Sequence, residues 1–135
     1  ASASAVSADA PVLSVAAGGR GVAEVRLRIA DGYHVNANPA SDKFYIPTQL
    51  NIEAGGGITP GAPVYPTSVS RKLTFSEKPL AVYEHEAVIK LPLNADAGAT
   101  KGAHALPVKI RVQPCNDEVC FPPRTIETSI TVTVE

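Results

Sequence analysis

In the stretch VAEVRLRIA, the apolar residues Ala23, Val25, Leu27 and Ile29 alternate with Glu24, Arg26 and Arg28. Successive side chains of an extended strand point to opposite faces, so a period of two marks a strand with one face on a core and one in water. The pattern recurs with Leu50 and Ile52 in TQLNIEA, Val82 through Leu93 in AVYEHEAVIKLPL, and Val108, Ile110 and Val112 in LPVKIRV. It returns near the end with Ile126, Ile130, Val132 and Val134 in TIETSITVTV. Turn signals separate these runs: AGGRG, ADG, AGGG, TPGAP and NADAGA. With 12 Pro and 10 Gly spread along the chain, no window long enough for a helix carries a helical apolar stripe. The expectation is an all-β, immunoglobulin-like antiparallel β-sandwich of eight or nine short strands. The Cys…Trp…Cys core of antibody domains is absent, because there is no Trp and the two cysteines are close in sequence. The 135 residues suit one domain. It is expected over residues 11–135, after a flexible N-terminal segment at 1–10, with no repeat, linker or second domain.

Charge narrows the partners. Lys+Arg 12 against Asp+Glu 13 leaves a net charge of −1, which offers neither a basic footprint for nucleic acid nor a polybasic patch for anionic lipid. No run approaches the roughly 18 apolar residues that span a bilayer, so direct membrane insertion by this segment is not expected. The small-residue start ASASA and the lack of Met suit a chain that begins just after a signal cleavage, and export is the expectation.

Most chemical signatures are missing. His34, His85 and His104 fall on different predicted strands or loops and read as surface or edge histidines. A zinc site from Cys115, Cys120 and two of them would lack the second ligand cluster that structural zinc motifs carry. Copper(I) would want thioether ligands, and the chain has no Met. No metal and no bound cofactor are expected. There is no nucleophile elbow, and GGRG lies between two predicted strands, where it reads as a turn and not as a phosphate loop. Glu84 and Glu86 alternate along one predicted strand, most simply as a solvated face.

The cysteines remain. In VQPCNDEVCFPPR, Cys115 and Cys120 flank a four-residue turn between two predicted strands, where a disulfide is within geometric reach. A loop this short adds only about 2 kcal/mol to stability through chain entropy. Pro114, Pro122 and Pro123 remove backbone donors around the pair, which predicts an exposed, rigid tip. Asp117 and Glu118 within the turn disfavour a thiolate. On these residues alone, a structural staple in a non-catalytic interaction module and a redox-active pair both stay open.

The cluster RVQPCNDEVCFPPRT, with GYHVNANPASDKFYIPTQL upstream and VYPTSVSRKLTFSEKPLAVYEHE between, resembles the N-terminal periplasmic domain family of the thiol:disulfide interchange protein DsbD. The likeness runs from about Val22 to Val134, and the best-known members place one residue more between the cysteines. The resemblance implies an immunoglobulin-like periplasmic, or otherwise extracytoplasmic, domain. It would take electrons from a membrane-embedded redox domain and pass them to thioredoxin-fold redox proteins, a supply line associated with cytochrome c maturation. It also implies roles: Cys120 attacks the partner disulfide, Cys115 resolves the mixed disulfide, and an aromatic residue on a loop between two middle strands caps the pair. Here the matching loop is RKLTFSEKP and the aromatic is Phe75, with Tyr33, Phe44 and Tyr45 as further aromatic candidates. Phe75 also closes the short alternation Leu73-Thr74-Phe75, so a place in the core is the competing expectation.

Overall fold

In the computed structural model, which describes residues 4–135, the chain forms β1 (Val6–Ala8), β2 (Val12–Val15), β3 (Arg20–Ile29), β4 (His34–Asn36), β5 (Gln49–Ile52) and β6 (Ile58–Pro60). It continues as β7 (Val69–Arg71), β8 (Leu80–Tyr83), β9 (Glu86–Ala95), β10 (Gly102–Val112), β11 (Pro114–Cys115) and β12 (Arg124–Val134). Strand order is β1-β3-β9-β6 in one sheet, β2-β12-β10-β5 in a second and β11-β4-β8-β7 in a third. The architecture is the all-β immunoglobulin-like sandwich that the alternation predicts, with twelve strands among the described residues where the runs suggest eight or nine.

The long strands carry the core. Val25, Leu27 and Ile29 of β3 and Ile89, Leu91 and Leu93 of β9 point to the same interior as Val108, Ile110 and Val112 of β10 and Ile130, Val132 and Val134 of β12. Each side chain of this kind, taken fully from water, is worth roughly 1.5–3 kcal/mol, so this one cluster supplies most of the drive to fold. A smaller cluster of Leu73, Leu80 and Val82, with Tyr45 against it, serves the third sheet.

Two expectations are corrected. The run from Val82 to Leu93 is two strands in two sheets. His85 breaks it in the left-handed region at φ 63°, and the buried positions change parity from Leu80 and Val82 to Ala87 and Ile89. A one-residue slip of that kind turns a strand over, so Glu84 and Glu86 do not share a strand face. Glu84 pairs with Arg71 at 2.7 Å and Glu86 with Arg26 at 3.2 Å.

Of the N-terminal segment 1–10, residues 1–3 lie outside the described residues. Strand β1 pairs antiparallel with β3 from Val6↔Ile29 to Ala8↔Leu27, and Ala5 and Val6 are buried. Asp9 accepts two hydrogen bonds from the Arg28 guanidinium, at 3.1 and 3.0 Å. Finally, the strand pairing is not wholly antiparallel. Strand β2 runs parallel to β12, from Val12 beside Thr131 to Val15 beside Val134.

Because Ile110 is fully enclosed and Val12 is 73% exposed on an edge strand, their truncations should separate cleanly. Ile110→Ala is expected to lower unfolding free energy by about 2–5 kcal/mol and Val12→Ala by less than about 0.5 kcal/mol, as read from urea denaturation curves.

Candidate active site around the cysteine pair

Strands β10 and β12 pair in continuous register from Gly102↔Val134 to Val112↔Arg124, and the cysteine segment is the excursion between them. Pro114 cannot donate to a continued ladder. The chain instead turns away, and β11 pairs with β4 through Pro114↔Val35 and Cys115↔His34. The turn that follows is organised by Asn116, whose Oδ1 accepts hydrogen bonds from the Glu118 N–H at 2.9 Å and the Val119 N–H at 2.8 Å. The Asn116 N–H donates to the Val119 carbonyl at 2.9 Å, and the Phe121 N–H donates to the Pro114 carbonyl at 2.9 Å. These bonds bring Cys115 and Cys120 opposite one another, with a Cα–Cα distance of 4.0 Å and a disulfide between them.

The pair is therefore not the exposed tip that the prolines suggest. Pro114 and Cys115 are buried, Cys115 completely, while Cys120 is only half-buried. Prolines stop the β10–β12 ladder but do not leave the freed segment in water, because β4 has an open edge to receive it. The two sulfurs are thus unequal in access.

Gln113 ties this excursion to its surroundings. Its Oε1 accepts from Asn36 Nδ2 at 3.1 Å and from the Ile46 N–H at 3.4 Å, and its Nε2 donates to the Phe121 carbonyl at 3.4 Å. Asn36 Nδ2 also donates to the Ile46 carbonyl at 3.1 Å. Thr48 donates to the Asn36 carbonyl from its hydroxyl at 2.8 Å and from its N–H at 3.1 Å, which folds the loop 37–48 over β4.

The loop 72–79 between β7 and β8 lies against the cysteine turn. Thr74 donates to the Asp117 carbonyl from its hydroxyl at 2.6 Å and from its N–H at 3.2 Å. Within the loop, Ser76 N–H donates to the Leu73 carbonyl at 3.2 Å, Ser76 Oγ to the Lys78 carbonyl at 2.8 Å, and Lys72 Nζ to the Leu73 and Ser76 carbonyls. Leu73 roots the loop in the smaller apolar cluster. Phe75, one residue past Thr74, belongs to neither cluster and is 37% exposed. The other aromatic candidates part company. The Tyr33 ring lies 6.1 Å from that of Phe121, the residue after Cys120, and Tyr45 packs against the Leu73 cluster. Phe44 is 80% exposed, with the Lys43 ammonium 5.5 Å from its ring centre.

The residue that sequence reasoning missed is His34. It is buried at the cysteine pair, not at the surface, and its Nε2 is shut from solvent without a hydrogen-bond partner. No sequence pattern marked it: His34 lies in the short strand His34-Val35-Asn36, whose three residues are all buried only once β4 is paired on both sides. The other two histidines are peripheral. His85 reaches Asp31 at 3.5 Å, and His104 donates from Nε2 to the Thr100 carbonyl at 2.5 Å, its ring filling the space that a side chain at Gly56 would need.

Burial pushes the His34 imidazole below its ordinary pKa of 6.5, against smaller opposing pulls from the Glu84 and Asp117 carboxylates. The unfolded chain then takes up a proton on His34 that the folded chain resists. Stability conferred by neutral His34 is present above about pH 6.5 and is lost as pH falls through the folded-state value. Urea midpoints measured between about pH 7 and about pH 5 should fall, and His34→Gln should flatten that slope.

Comparison with known proteins bears on the fold and the family. No curated protein sequence matches the chain significantly. Among solved structures, the chain is similar to the N-terminal domain of Neisseria meningitidis DsbD in its reduced form, at 24% identity and a TM-score of 0.55. That match covers 87% of this chain and 82% of the other. It is similar also to the N-terminal periplasmic domain of ScsB from Proteus mirabilis, at 11% identity and a TM-score of 0.55, over 91% of this chain and 44% of that one. At such identities these likenesses establish the fold. The family model for the N-terminal region of thiol:disulfide interchange protein DsbD matches residues 3–131, which takes in both cysteines, the β7–β8 loop and β4, and the chain accordingly belongs to that family.

Proposed function

We propose that this chain is an extracytoplasmic thiol:disulfide exchange domain, one part of a longer protein. It takes electrons from a membrane-embedded redox domain and reduces disulfides of thioredoxin-fold partners through Cys115 and Cys120. The observation that carries the reading is the unequal burial of the two cysteines: Cys115 is wholly enclosed, while Cys120 is partly open. Exchange needs one accessible thiolate to attack a partner disulfide and one held back to resolve the mixed disulfide. A staple needs no such difference. Extracytoplasmic placement is supported by the disulfide itself, which persists in oxidising compartments, and by the periplasmic origin of the ScsB domain.

Resolution balances simply. The Cys120 thiolate attacks one sulfur of the partner disulfide, and the partner's other sulfur leaves as a thiolate. The Cys115 sulfur then attacks Cys120, the mixed disulfide breaks, and the partner departs with both sulfurs reduced. Cys115→Ser should accumulate a lasting mixed disulfide with a thioredoxin-fold protein, while Cys120→Ser should trap far less, as seen on non-reducing gels. Equal trapping by both variants, or by neither, contradicts these roles. A reduction potential below about −300 mV with no exchange would favour the structural staple instead.

Phe75 serves in this reading as the cap, on a loop that Thr74 fastens to the cysteine turn. A dithiol in an oxidising compartment loses electrons to small oxidants unless it is covered. Phe75→Ala should speed reaction of the reduced pair with hydrogen peroxide and cost well below the roughly 3–5 kcal/mol of an emptied core Phe site. Unchanged thiol reactivity together with a large stability loss would return Phe75 to the core.

A further inference from the structure

Strands β11 and β4, with the residue that follows β8, place a cysteine, a histidine and a carboxylate in one cross-strand row of the third sheet. Cys115 is the register partner of His34 on one side of β4. On the other side β4 pairs with β8 through Val35↔Tyr83 and Asn36↔Val82, and continuing that register by one residue sets Glu84 opposite His34. Directly opposed residues of an antiparallel pair share a face, with Cβ atoms about 4.5–5.5 Å apart. Glu84 is held from its far side by the Arg71 guanidinium, whose Nε lies 2.7 Å from Oε1.

The unpartnered Nε2 of His34 calls for a cause, since buried polar atoms are rarely left alone. While Cys115 is in the disulfide it has no S–H to donate. Opening the S–S bond supplies one, at the residue registered against His34.

We propose that His34 is the proton acceptor for Cys115 when the mixed disulfide with a partner is resolved, with Glu84 as the positioning carboxylate behind it. The inference rests on the exchange reading above. In that step the Cys115 thiol gives its proton to neutral His34 Nε2, and the resulting Cys115 thiolate attacks Cys120 Sγ. The Cys115–Cys120 bond forms, the Cys120–partner bond breaks, and the partner sulfur leaves with the electron pair. The imidazolium then gives its proton to the departing thiolate or to water. A wholly buried thiol needs a base, because burial in apolar surroundings raises its pKa and hinders the thiolate that resolution requires; the Gln113 carbonyl, 3.8 Å from Cys115 Sγ, can accept a hydrogen bond but cannot take the proton. The charged groups acting on His34 are the Glu84 carboxylate, offset by Arg71, and the Asp117 carboxylate from the cysteine turn. Both carboxylates favour the imidazolium that the step creates.

The test separates the two chemical steps. Reduced protein mixed with one equivalent of dithiobis(nitrobenzoate) releases a first coloured thiolate when Cys120 attacks and a second when Cys115 resolves; Cys115→Ser should give the first release alone. His34→Gln should leave the first phase unchanged and slow the second about tenfold or more near pH 7, since a thiol of pKa about 8.5 is only a few per cent ionised there. Its second phase should then climb with pH toward the titration of the thiol itself, while the wild-type second phase levels off at lower pH. Glu84→Gln, which keeps the histidine, should slow the plateau and move the acid limb to lower pH, and it decides the matter should His34→Gln fail to fold. Identical second phases and pH profiles in wild type and variant would overturn the assignment. A wild-type protein that cannot reduce a thioredoxin-fold disulfide would instead overturn the exchange reading.

Discussion

Two residues of strand pairing, Pro114 and Cys115 of β11 against Val35 and His34 of β4, hold the site together. Without them the segment between β10 and β12 would be a long hairpin loop with its cysteines in solvent. With them, Cys115 is sealed, Cys120 is left at the boundary, and the turn is brought within reach of the β7–β8 loop. The pairing depends in turn on Pro114, which has no N–H to extend the β10–β12 ladder, and on Gln113, whose amide reaches β4, the loop 37–48 and Phe121 together. A short ladder supported by a side-chain network is a precise way to set one sulfur deeper than its neighbour, because satisfied buried polar groups accept few alternative arrangements.

Stability is distributed unevenly between the sheets. The first two enclose nearly all the large buried side chains, whereas the third rests on short strands and the small cluster of Leu73, Leu80 and Val82. Regions with few buried contacts open at lower free energy than the core. The β7–β8 loop is fastened to the cysteine turn through Thr74 alone of its residues with a bond to Asp117, while its other hydrogen bonds are internal. A loop attached in this way is compatible with the cap proposed above.

Electrostatics around the pair do not favour a freely reactive dithiol. Asp117 and Glu118 are exposed in the turn and set negative charge beside both sulfurs. Negative neighbours disfavour a thiolate. In the exchange reading proposed above, selectivity would rest on access and on local proton acceptance, and the buried His34 imidazole is the group proposed for the second of these.

The sandwich was legible in the sequence because a strand with one buried face must alternate, and Val25-Leu27-Ile29, Val108-Ile110-Val112 and Ile130-Val132-Val134 do so without interruption. Where alternation slips by one residue at His85, the break between β8 and β9 was written in the parity of the apolar positions but masked by a continuous run of strand-forming residues. The cysteine cluster, read together with the GYHVNANPASDKFYIPTQL and VYPTSVSRKLTFSEKPLAVYEHE segments, pointed to the family. Burial of the pair was not legible. Whether a segment that leaves a hairpin meets water or another strand depends on an edge contributed from far away in the chain, and no local pattern encodes that edge. The sequence by itself therefore determined the fold class and the family. Only the tertiary structure decided which sulfur is withheld and that His34 stands beside it, because long-range strand register, and not composition or spacing, sets which side chains share a face.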